Sequence, residues 1–228
     1  MKHKKTFGFA ILALVCVFVF LFIRERHSDI ANRTLKNVKI DYDLIFLGGS
    51  IWYNYKIPVV VENDAATNNE FKKIFYSTKT TTVRELLNTV VPDSFVWRTE
   101  GHVIHIISKS LDARPDYQLN APIEIFSATG DYNELIRTAL GRVNRRNFRE
   151  QIAYSPFPYE ALGREKHLRE FHVTARNVTL RQLLDKIVLK GDTGYSVSRS
   201  FQKDGTYILW VVEENTGKQS KIKDPSNL

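Results

Sequence analysis

The sequence predicts an α+β class, with an N-terminal transmembrane helix followed by two small strand-helix-hairpin modules. Three observations carry this expectation: an uncharged apolar run near the start, a gapless internal repeat at an offset of 97 residues, and a turn-split pair of strand-like runs after each copy of that repeat.

From Phe7 to Ile23 there are seventeen residues without a charge, FGFAILALVCVFVFLFI, bounded by Lys4 and Lys5 before and by Arg24 and Arg26 after. That length sits at the short end of what spans a bilayer, and no proline interrupts it. A cleaved signal peptide is the rival reading. Large and charged residues follow the run instead of a small-residue cleavage site, which favours an uncleaved anchor and leaves cleavage open. The short N-terminal tail is then expected in the cytoplasm, with the long remainder periplasmic or extracellular, as in a single-pass protein of the cell inner membrane. The expected organisation is a tail over residues 1–6, an anchor over 7–23 and a connector over 24–55. A first module over 56–110, a linker over 111–120, a second module over 121–214 and a flexible tail over 215–228 complete it.

Within the connector, the apolar runs Leu35 to Ile40 and Leu44 to Ile51 read as one or two strands, with Gly48-Gly49-Ser50 as a break. Trp52, Tyr53 and Tyr55 follow and are expected to dock on the first module. The repeat itself aligns Thr82-Val83-Arg84-Glu85-Leu86-Leu87-Asn88 with Thr179-Leu180-Arg181-Gln182-Leu183-Leu184-Asp185. Each copy reads as a helix start, because Thr82 or Thr179 can cap and Glu85 or Gln182 stands three residues on, as in a capping box. Upstream, Ile74, Tyr76 and Thr78 correspond to Phe171, Val173 and Ala175, and this alternation predicts a strand feeding each helix. Downstream, Phe95 to Thr99 and His102 to Ile107 flank Glu100-Gly101, and Tyr195 to Ser200 and Thr206 to Val212 flank Asp204-Gly205; both predict hairpins. Between the copies, Ala121 to Ser127 reads as a strand and Asp131 to Val143 as a helix capped by Asp131, before a loop holding Pro156 and Pro158.

The net charge of +8 includes Lys2, Lys4 and Lys5, leaving 30 basic against 25 acidic residues beyond the apolar run. This mild excess argues against nucleic acid as a partner. The sole cysteine, Cys16, lies in the apolar run, so the rest of the chain has no thiol for a disulfide, a metal or catalysis.

The segment FHVTARNVTLRQLLDKIV, followed by a glycine-bearing turn and a hairpin, resembles the short N-terminal domain shared by secretins and TonB-dependent receptors. Asn177, Val178, Thr179, Leu180, Leu183 and Leu184 match the start of that family's helix. The likeness covers about 45 residues of the second copy, and residues 71–108 less faithfully. It implies a small α+β module that docks partners in the bacterial envelope, and it brings no catalytic residue with it.

Candidate sites are few. His102 and His105, three apart on a predicted strand, point to opposite faces and cannot share one metal, while His167 and His172 read as surface residues. No nucleophile elbow, phosphate loop, dinucleotide fingerprint or His-Glu-x-x-His run occurs, so no catalytic, cofactor or metal residue is assigned. Arg137, Arg142, Arg145, Arg146 and Arg149 form the most basic stretch. The last four fall at helical spacings and form a candidate anion or partner surface if the helix continues past Gly141; a solvated helix face is the plainer alternative. The function expected is therefore a membrane-anchored extracytoplasmic binding or scaffold protein with an envelope protein as partner. An enzyme acting on an envelope polymer is the alternative, and the oligomeric state stays open.

Overall fold

The computed structural model describes residues 29–65, 73–144, 150–156, 169–191, 193–201 and 207–214. Over these residues the chain is built from a unit of five strands and two helices, each copy opened by a 3-10 turn, used twice. The first unit opens with a 3-10 turn at Ile30–Asn32 and continues through β1 (Thr34–Asp43), α1 (Leu44–Tyr55), β2 (Val59–Asp64), β3 (Lys73–Thr82), α2 (Val83–Val90), β4 (Phe95–Glu100) and β5 (Val103–Ser108). After a short helix α3 (Lys109–Asp112), the second unit repeats the order. It has a 3-10 turn at Gln118–Asn120, β6 (Pro122–Gly130), α4 (Tyr132–Asn144), β7 (Glu150–Ser155), β8 (Phe171–Thr179), α5 (Leu180–Gly191), β9 (Gly194–Phe201) and β10 (Tyr207–Glu214).

These observations correct the expected fold class. The described fold is mixed α/β, and in each unit a strand, a helix and a second strand precede the expected strand-helix-hairpin. Among the described residues no helix is long and apolar enough to cross a membrane, and Phe7 to Ile23 lies outside them. The connector is likewise corrected, because residues 30–55 form the first third of the first unit. Leu44 to Ile51 is helical where strands were expected. Leu44, Leu47, Gly48, Ile51 and Trp52 are the buried positions of α1, a spacing of three and four that places them on one helix face. Each glycine costs about 1 kcal/mol of helix propensity, and burial of the neighbouring side chains overrides it. Leu111, Tyr117 and Leu119 are buried too, so the expected linker is part of the core.

The repeated helices start as the sequence predicts. Thr82 Oγ1 accepts from the Glu85 amide at 3.2 Å while Glu85 Oε2 accepts from the Thr82 amide at 2.8 Å. Thr179 and Gln182 make the same reciprocal pair at 3.2 and 3.0 Å. Asp131 and Glu134 do so at the head of α4. Thr82→Ala and Thr179→Ala are each expected to cost about 1 kcal/mol in chemical denaturation, the usual worth of such a cap. A change below about 0.3 kcal/mol in both would remove the capping explanation.

In each unit the first and fourth elements form a two-stranded antiparallel sheet, β1 with β3 and β6 with β8. The remaining strands make three-stranded halves, β4-β5-β2 and β9-β10-β7, which fuse into one six-stranded sheet of order β4-β5-β2-β9-β10-β7. The fusion is parallel: Glu62, Asn63 and Asp64 of β2 lie opposite Val197, Ser198 and Arg199 of β9. Since β10 runs antiparallel to β9 and β5 runs parallel to β2, the two halves have opposite strand sense. The helices consequently fall on opposite faces. Val59, Val61, Ile104 and Ile106 pack with α1 and α2 in one core, whereas Val60, Val103 and Ile107 join α4, α5 and the second half-sheet in the other. The second unit thus covers the back of the first.

Candidate functional site

The joint between the units holds a buried polar cluster. Glu62 on β2 and His105 on β5 come from the first unit, Arg181 and Asp185 on α5 and Tyr195 on β9 come from the second, and Tyr117 stands just before the second 3-10 turn. All six are between 0 and 6 % exposed. Strand alternation explains the placement. Val60 and Glu62 share the face of β2 that looks toward the second unit, and so do Val103, His105 and Ile107 on β5.

Glu62 is saturated. Its Oε1 accepts from Arg181 Nε at 2.8 Å and pairs with His105 Nδ1 at 2.9 Å, and its Oε2 accepts from Arg181 Nη2 at 2.9 Å and from the Tyr117 hydroxyl at 2.7 Å. The other ring nitrogen of His105 lies 3.1 Å from Asp185 Oδ2, and Tyr195 donates to Asp185 Oδ1 at 2.9 Å. Arg181 Nη1 donates to Asn120 Oδ1 at 2.7 Å. Burial opposes the charged imidazole, but the hydrogen bonds of Asp185 and Glu62 outweigh it and raise His105 to about 9. Burial likewise pushes Glu62 up, and the bonds from His105 and Arg181 reverse this and bring it to about 2. Asp185 is raised by burial, partly offset by His105. Burial holds both tyrosine hydroxyls well above their usual range, so they remain donors. With His105 protonated, two cations face two carboxylates and the cluster is neutral, which is the condition for keeping charges in a core.

A second group continues the joint along the same face. Arg199 on β9 donates to Glu150 on β7 at 2.6 Å and reaches Asp64 on β2 at 3.3 Å, and its guanidinium lies 3.7 Å from the Tyr207 ring centroid. Arg114 bonds Glu150 at 3.2 Å from the segment between the units.

A histidine between two carboxylates resembles acid–base machinery, yet here every polar atom of the triad meets another side chain and solvent is excluded. The chemistry this arrangement performs is electrostatic fastening of one unit to the other. The imidazole stands between Glu62 and Asp185, and no group of three or more possible ligands among the described residues is placed to hold a metal.

Of the sequence-stated residues, Arg142 is exposed on α4, which runs past Gly141 and ends at Asn144; Arg145, Arg146 and Arg149 lie outside the described residues. Arg137 lies 5.7 Å from the ring centroid of Tyr154. His102 sits exposed in the β4–β5 turn beside Gly101, whose φ of 61° suits a residue without a side chain. His172 is exposed on β8 and bonds Thr129 at 2.8 Å, and His167 lies outside the described residues. The sequence reading did not identify Glu62, Arg181, Asp185 or the tyrosines as a site. The one signal available was Arg181 and Asp185 inside the repeat, on the same side of a helix at a spacing of four. Compared with protein families, curated proteins and solved structures, the chain matches none.

Proposed function

We propose that this chain is a binding or scaffold protein of the bacterial envelope that docks another protein through its two related units. One observation carries the reading: the polar side chains at the joint neutralise one another away from solvent, while β4 ends the sheet with no further strand beside it among the described residues. The likeness to the short N-terminal domain of secretins and TonB-dependent receptors belongs to the same proposal. So does the membrane localisation, which rests on the sequence of residues 7–23 alone.

The test is photo-crosslinking of the full-length chain in its native envelope, with the reactive residue at Arg142 on α4 or at Thr99 on β4. Recovery of the same envelope protein from independent preparations, competed by excess unlabelled chain, is the expected result. Loss of that partner when Arg142, Arg145, Arg146 and Arg149 become alanine would place it on the basic surface. Turnover of an envelope polymer by the purified chain, with no protein captured, would overturn the proposal in favour of an enzyme.

A further inference from the structure

The two units agree beyond their backbones, and the agreement marks a second docking face. In the second unit, the α5–β9 face receives the β2 edge of the first: Arg181 grips Glu62, and Asp185 is bonded by Tyr195. The residues aligned with Arg181 and Asp185 in the first unit are Arg84 and Asn88 on α2. The local frame is conserved between them. The Val83 amide donates to the Arg33 carbonyl at 3.0 Å, as Leu180 does to Ala121 at 2.9 Å. Arg84 Nε donates to Asn32 Oδ1 at 3.2 Å, as Arg181 Nη1 does to Asn120. Trp97 of β4 donates to Asn88 Oδ1 at 3.0 Å, in the manner of Tyr195 and Asp185.

The difference lies in what covers them. Arg181 is 2 % exposed under the first unit, whereas the Arg84 side chain is 48 % exposed and its carboxylate partner is Asp29, at 2.6 Å, itself exposed at the start of the described chain. β4 is the terminal strand of the sheet, as β9 would be without β2.

We infer that the α2–β4 face is a docking site for an extended strand of a different protein. That strand adds parallel to β4 and places a glutamate or aspartate on Arg84, displacing Asp29. The inference rests on the docking function proposed above and locates it. A second copy of this chain does not fit as the occupant, because β7, the counterpart of β2, has lost the features that engage. Ile152 and Tyr154 of β7 pack into the core under α4 and α5 as Val59 and Val61 of β2 do under α1 and α2, which puts Ser155 where Glu62 stands. In addition, the amide of Asn144 occupies both the N–H and the carbonyl of Ile152 at 2.8 Å, and Gln118 bonds the Glu150 carbonyl. An acidic strand of another protein meets the charge and the edge that β4 presents.

The test uses the intact chain and a synthetic peptide of residues 58–65, Pro-Val-Val-Val-Glu-Asn-Asp-Ala, as the probe, since this is the strand that the equivalent face already accepts. Saturable binding followed by Trp97 fluorescence is expected. Binding should weaken about tenfold or more in Arg84→Glu and with a Glu62→Lys peptide, and strengthen severalfold in Asp29→Asn, where the competing carboxylate is gone. A photo-reactive residue at Thr99 should capture the peptide, and one at Ser155 should not. Absence of saturable binding, equal binding by Arg84→Glu, or capture from Ser155 would overturn the inference. An envelope partner crosslinked from Arg142 alone would leave the docking function standing while this site falls.

Discussion

Arg181→Met is expected to destabilise the chain by about 3–5 kcal/mol, because it leaves the fully buried Glu62 carboxylate without the two guanidinium donors that neutralise it. Buried ion pairs are costly to break and cheap to replace whole. The double variant Glu62→Met with Arg181→Met should therefore recover most of the loss, and the non-additivity would measure the coupling. Urea unfolding near pH 6 reads both quantities. If Arg181→Met stays within about 1 kcal/mol of the parent, the cluster does not fasten the units.

The second large effect is on pH dependence, and it follows from His105. Its folded value of about 9 lies above the ordinary 6.5, so the stability that it contributes is complete below 6.5 and is lost as pH rises through about 9. A buried imidazolium shifted this far contributes at most about 3 kcal/mol. Glu62 acts at the other end: lowered from 4.5 to about 2, it contributes above 4.5 and its contribution fades as pH falls toward 2. Asp185, raised by burial, works in the opposite sense to Glu62 and softens the acid limb. His105→Leu removes the imidazole and leaves an apolar side chain in the buried place it fills. The parent should lose stability between pH 6.5 and 9 in thermal or urea unfolding, and the variant, less stable at pH 6, should be nearly flat over that range. An equal slope in both would assign the alkaline loss to other groups.

What the sequence made legible was short-range. Both capping boxes, the β4–β5 and β9–β10 hairpins, and the strands feeding α2 and α5 follow from residues within about ten positions of one another. That the first halves of the two units are equivalent was hidden because their sequences differ, even though the strand and helix of the second unit's first half were themselves legible. LIFLGGSIWYNY carries a glycine pair through α1 where the second unit has YNELIRTALGRVN, and β2, three valines followed by Glu62, Asn63 and Asp64, is buried on both faces without alternation. β7 was lost in the loop reading around Pro156. The polar cluster was beyond reach for another reason: Glu62 meets Arg181 across 119 positions, and His105 meets Asp185 across 80. The helical alignment did place Arg84 opposite Arg181 and Asn88 opposite Asp185. It could not tell that one pair is covered and the other is open, since that depends on which sheet edge finds a neighbour.

The parallel joint between β2 and β9 also sets an order of events during synthesis. The first unit is complete by Ser108, but the strand that covers its β2 edge ends at Phe201, and Asp64 waits 135 positions for Arg199. At translation rates of about 5–20 residues per second, that edge and the Glu62 carboxylate stand in water for on the order of ten seconds on each nascent chain. The long-range closure carries a late entropic cost, and a ribosome-bound first unit presents the same acidic strand that its finished sheet conceals. Nascent chains on one polysome therefore carry both halves of a lock, the β2 strand and the Arg84 face, before either chain has its own second unit.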